Sequence, residues 1–110
     1  IVSMAHKSVY VPYVDPGLTL AREVRTRLTR FIEQEGMLPR VIMMQNHGAI
    51  AMGESPKAVI SCLEMTEKAS QILVGTYALG GPNFLSEQHV NRIFTRPDEK
   101  YRLQNIAGSA

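Results

Sequence analysis

The tripeptide Asn46-His47-Gly48 holds the side chain of this sequence best placed to do chemistry. It follows the apolar run Val41-Ile42-Met43-Met44 and precedes a second run, Ala49-Ile50-Ala51-Met52, which predicts a histidine held where two strands meet. A neutral imidazole fixed on rigid backbone is what a metal site requires. One histidine is one ligand, and a catalytic zinc takes about three from the protein. The other two histidines, His6 and His89, stand at no short spacing from His47 and are expected at the surface. The sequence thus offers part of a metal site.

The elements that must position His47 are legible on both sides of it. Ser8-Val9-Tyr10-Val11 predicts a short strand of β-branched and aromatic residues, and Pro12 followed by Asp15-Pro16-Gly17 predicts a loop at 12–17. From Leu18 to Glu35, the residues Leu20, Val24, Leu28, Phe31 and Ile32 recur at three- and four-residue intervals, the pattern of an amphipathic helix that Gly36 stops. Arg22, Arg25, Arg27 and Arg30 span much of that helix's circumference and read as a solvated face rather than a phosphate site. After Pro39, Val41 to Gln45 predicts a strand buried on both faces, and Ala49 to Met52, ending at Gly53, predicts a second one. Met43, Met44 and Met52 are expected to fill a core.

Ser55-Pro56 is a helix start, because the serine side chain can cap and proline leaves no orphaned amide at the first helical position. That helix is expected from about Pro56 to Ala78, with Val59, Leu63, Ile72 and Leu73 as core candidates, until Gly80-Gly81-Pro82 ends it. Ser86 caps a shorter helix carrying Val90, Ile93 and Phe94; one or two further turns follow Pro97-Asp98, and the tail Ala107 to Ala110 is expected to fray. No internal repeat, low-complexity tract or linker divides the chain, so residues 1–110 read as one α/β unit.

Composition narrows the class. The chain has 110 residues, 45% of them apolar, enough for one small core. It opens Ile1-Val2-Ser3 without an initiator methionine, the look of a fragment or a processed chain. Its 12 basic and 10 acidic residues are dispersed, giving a net charge of +2 that argues against a nucleic-acid partner. The one cysteine, Cys62, falls inside the long helix and reads as a small buried apolar residue, which favours a reducing, cytoplasmic setting. No run approaches the ~20 apolar residues of a membrane helix, and no signal peptide is visible.

Taken together, Val11-Pro12-Tyr13 leading to Pro16-Gly17, a helix, Gln45-Asn46-His47-Gly48, Gly53, and a long helix bearing Glu67 resemble the class II aldolase/adducin family. The likeness is to the C-terminal half of its domain and extends to the stretch Arg96-Pro97-Asp98-Glu99. The resemblance implies an α/β/α layered domain with a mainly antiparallel central sheet, commonly tetrameric. It implies a metal-dependent lyase acting on a small sugar phosphate or hydroxy-carbonyl substrate through an enediolate. Relatives that are epimerases, dehydratases or decarboxylases, and a non-catalytic adducin-like interaction module, are the alternatives. In the family's enzymes a divalent metal, often zinc, is held by a His-x-His pair from the N-terminal half and by the histidine of Asn-His-Gly. By that match His47 is the third metal ligand, and the remaining ligands belong to sequence outside these residues. Where the family often has threonine or serine after Pro-Gly, this chain has Leu18.

Other roles stay open at this stage. Asn46 either orients the imidazole or simply favours the turn. Gly48 lets the strand approach without a side chain over the metal. Glu67 either accepts the second ring hydrogen of His47 or pairs with a cation on the helix surface, while Glu64 is read as solvated. Tyr10, Tyr13, Tyr77 and Tyr101 are all eligible proton donors, and Tyr101 is the candidate because C-terminal tyrosines serve so in some relatives.

Overall fold

The computed structural model describes residues 7–108, so His6 and the end of the tail lie outside the described residues. The order of elements is β1 (Val9–Val11), α1 (Leu18–Glu35), β2 (Val41–Met44), β3 (Gly48–Ala51), α2 (Pro56–Tyr77), α3 (Glu87–Phe94) and α4 (Pro97–Gly108). The fold is α/β, as the alternation of strand and helix patterns implies. Its three-stranded sheet has the order β1-β2-β3.

The sheet is mixed rather than mainly antiparallel, and the connections explain why. β1 and β2 pair in parallel, Val9 opposite Ile42 and Val11 opposite Met44, because α1 carries the chain back between them. β2 and β3 are joined by a tight turn, which allows only an antiparallel pair, with Val41 opposite Ala51 and Met44 opposite Gly48.

Val9, Val11 and Ile42 form the buried cluster on one face of this sheet, and Leu20, Val24, Leu28 and Phe31 of α1 pack against it with Met44 and Met52. Burying each of these strand residues contributes roughly 1.5–3 kcal/mol, so the cluster is what ties α1 to the sheet. Ile32, expected in the same stripe, stays exposed. Gly36 ends α1 in the left-handed region at φ 67°, its amide donating to Ile32 O. Strand alternation puts Val41 on the opposite face from Ile42, and it too is fully buried, as a strand covered on both sides requires.

α2 reaches the start of β2 through Cys62, whose thiol donates to Arg40 O at 3.7 Å. Its start is the expected one: Ser55 Oγ accepts from Ala58 N at 3.2 Å, with Pro56 in the first turn. The buried stripe differs from the expected one. Cys62 and Thr66 are buried, whereas Leu63, Ile72 and Leu73 are exposed. The Thr66 hydroxyl is satisfied inside the helix by donating to Cys62 O at 2.7 Å, so a polar residue costs little on that stripe. α3 begins where Ser86 caps His89 N at 3.3 Å, leaving His89 at the surface.

A candidate metal-ligand hairpin

His47 stands in the turn Gln45-Asn46-His47 that joins β2 to β3. Its amide donates to Met44 O at 3.2 Å, closing a four-residue turn whose third member, Asn46, has φ 55°. A positive φ at that place is what a type II turn demands, and asparagine is the side-chain-bearing residue that tolerates it best. Asn46 therefore has a structural reason to be where it is. Gly48 follows at φ 156°, and nothing lies within 4 Å of where a Cβ would stand. Its glycine is a conformational need, not a steric one.

The turn is anchored by Gln45, a residue to which the sequence pattern assigned only the end of a strand. Its backbone amide donates to Val11 O at 2.9 Å, and its side-chain Oε1 accepts from Tyr13 N at 3.1 Å. The loop after β1 is thus stitched to the hairpin that carries His47. Within that loop the Tyr13 hydroxyl donates to Asp15 Oδ1 at 3.3 Å. Arg27 braces the same region from α1: it donates to Tyr10 O at 3.3 Å while pairing with Glu23 one turn away. The signal that could have revealed Gln45 is a long amide side chain at the end of an otherwise apolar strand, beside a loop of Pro-rich backbone with few partners of its own.

The His47 side chain is exposed at the tip, with no hydrogen bond or ion pair among the described residues. An imidazole so placed fits as one donor to a metal. It does not complete a set, since zinc takes about three protein donors and among the described residues no group of three His, Cys, Asp or Glu is placed to hold an ion. Glu67 is exposed on α2 and accepts from Gln71 Nε2 at 3.2 Å; no hydrogen bond joins it to His47. Tyr101 is exposed on α4, where its carbonyl accepts from Asn105 Nδ2 at 3.0 Å, and among the described residues no hydrogen bond joins it to the hairpin. Of the residues singled out for the site, the structure brings Asn46 and His47 together and leaves Glu67 and Tyr101 on separate elements.

Among the described residues two groups are shifted from their ordinary values, and both lie off the hairpin. Burial pushes the Cys62 thiol up, opposed by the positive charge of Arg40 and by a hydrogen bond with Thr66. Hydrogen bonding from Arg96, which grips both oxygens at 3.0 and 2.8 Å, holds the Asp98 carboxyl below the usual range. No helix among the described residues is long and apolar enough to cross a membrane.

The model of the class II aldolase and adducin N-terminal domain matches residues 2–74, a span that includes β1, α1, the hairpin and most of α2. The chain belongs to the class II aldolase and adducin family. Comparison with curated proteins and with solved structures gives no match.

Proposed function

We propose that this member of the class II aldolase and adducin family is the C-terminal part of a metal-dependent aldolase-like lyase domain, acting on a small sugar phosphate or hydroxy-carbonyl compound. The observation that carries the reading is His47 itself: an exposed imidazole, without a bonding partner among the described residues, on a hairpin tip whose backbone is fixed on both sides. No described residue bonds to this side chain, and its place at the tip of the β2–β3 turn leaves it free to meet a partner from outside. His47 would supply one ring nitrogen to a divalent metal, zinc by preference for nitrogen donors, and the other donors would come from the rest of the domain. When bound, such a metal supplies electrophilic stabilisation of negative charge developing beside a carbonyl.

This chain's own residues do the holding. Asn46 sets the turn, Gly48 returns the chain to β3, and Gln45 ties the hairpin to the loop at 12–17, so the imidazole is presented from a strand end rather than a free loop. Cytoplasmic location and assembly into a homo-oligomer belong to the same reading. So does Tyr101 as a proton donor, which requires α4 to meet the hairpin of another subunit or a moved one.

The test is metal content and turnover of the protein with its complete domain, wild type against His47→Ala. The expected result is a loss of metal affinity beyond the ~10–100-fold that removal of a supporting partner costs, together with loss of turnover. Unchanged metal content in the variant overturns the assignment of His47. A wild type that binds no divalent ion points instead to the adducin-like interaction module.

A further inference from the structure

We infer that Gln45 is a positioning residue of the metal site that His47 serves, and that it couples metal binding to the loop at 12–17. The inference rests on the role proposed for His47 as a metal ligand. β1 and β2 run in parallel with Val11 opposite Met44, so the two strands end at the same edge of the sheet and at the same level. In open α/β sheets ligands bind outside such carboxyl ends. The loop at 12–17 leaves that edge from β1, and the turn Gln45-Asn46-His47 leaves it from β2.

The bond from His47 N to Met44 O closes the turn on itself but does not fix how the turn sits against its neighbour. Gln45 does that. As the second residue of the turn it donates its amide to Val11 O at 2.9 Å, and its Oε1 accepts from Tyr13 N at 3.1 Å, one bond to the strand and one to the loop beyond it. The segment it grips has a second tie, to α1, because Arg27 donates to Tyr10 O at 3.3 Å. Gln45, Asn46 and His47 are all exposed, so no packing holds the tip of the turn. A working site needs its donors held to within about 0.5 Å, a tolerance that the two bonds of Gln45 help an exposed turn to meet. A metal at the imidazole orders the turn, and through Gln45 the turn orders the Tyr13 amide. By the reciprocity of coupled equilibria, loosening the Tyr13 end weakens metal binding by the same factor. Only the carbonyl oxygen of the Gln45 side chain enters this bond, so glutamate can replace it and alanine cannot.

The experiment is zinc binding to the protein with its complete domain, by competition with a chromophoric chelator, for the wild type, Gln45→Ala and Gln45→Glu. Hydrogen exchange at the Tyr13 amide is followed with and without zinc, and helical circular dichroism checks folding. Gln45→Ala is expected to bind zinc about three- to tenfold more weakly, the fold-change that one net hydrogen bond is worth. Gln45→Glu keeps the acceptor and is expected to bind at least as tightly as the wild type. Zinc is expected to slow exchange at the Tyr13 amide in the wild type by a similar factor and to leave it unchanged in Gln45→Ala. Wild-type affinity in a folded Gln45→Ala, a folded Gln45→Glu as weak as the alanine variant, or a wild-type Tyr13 amide that zinc does not slow each overturns the proposal, the last without any variant having to fold. A wild type that binds no zinc is a separate failure: it overturns the reading of His47, and this inference with it.

Discussion

Gln45 and Tyr13 are joined across two loops: the side-chain carbonyl of the first accepts the backbone amide of the second at 3.1 Å, while the Gln45 amide donates to Val11 O at 2.9 Å. One residue thus closes the gap between the end of β1 and the turn that bears His47. The hairpin and the loop at 12–17 are tied together for that reason, although 32 residues separate the two partners.

Gln45→Ala removes one half of this clamp and leaves the other. The lost bond is on the exposed side, so global stability is expected to fall by only about 1 kcal/mol in urea unfolding. Hydrogen exchange should locate the effect: the Tyr13 amide is expected to lose protection while the β2–β3 amides keep theirs. Equal loosening at all these amides would mean that Gln45 acts through the sheet rather than through the loop.

Two glycines near α2 separate steric need from mere presence. A Cβ on Gly53 would meet Ala58 Cβ at 3.0 Å, Val59 N at 3.2 Å and Ala58 C at 3.3 Å, so the start of α2 lies against this residue. Gly53→Ala is expected to cost about 1–3 kcal/mol, as over-packing does. Gly75, in the helix interior, has nothing within 4 Å of its would-be Cβ, so Gly75→Ala is expected to stabilise by roughly 0.5–1 kcal/mol. Thermal melts of the two variants should move in opposite directions.

Cys62 gives the chain a pH dependence of known sign. Burial raises its thiol above the ordinary 9.0, so the native state holds the proton longer than the unfolded chain does. The stabilisation is fully present below the unfolded value and is lost as pH rises through the folded one. Unfolding free energy should therefore fall between pH 9 and the raised value in the wild type and less steeply in Cys62→Ala. At neutral pH the thiol, 1% exposed, is expected to react with a thiol reagent only at the rate of opening. Alkylation as fast as that of a free thiol would contradict its burial.

What sequence could convey here follows from which interactions are local. α1 was legible to the residue because its apolar spacing, its stop at Gly36 and its loop at Pro16-Gly17 all act within a few turns. The two strands around His47 and the cap at Ser55 were legible on the same ground. The stripe of α2 was not, because Leu63 and Ile72 satisfy a helical period as well as Cys62 and Thr66 do, and only the position of β2 decides which side is covered. Sheet direction was borrowed from the family resemblance, and the α1 crossover makes the β1–β2 pair parallel. Gln45 escaped because its partner lies in another loop, a relationship that spacing along the chain does not encode.

Asn46 stood between two roles in the sequence, and its backbone now separates them by experiment. At φ 55° the residue occupies a region that costs an ordinary side chain about 1–2 kcal/mol and costs glycine nothing. Asn46→Gly is therefore expected to leave stability within a few tenths of a kcal/mol, whereas Asn46→Val should lose at least the full penalty, since branching at Cβ adds crowding. No described residue bonds to the Asn46 side chain, and the backbone role is the one its φ supports. In the complete domain, Asn46→Gly is accordingly expected to bind metal as the wild type does, while His47→Ala fails. A folded Asn46→Gly that loses metal would assign the amide, and not the turn, to the site.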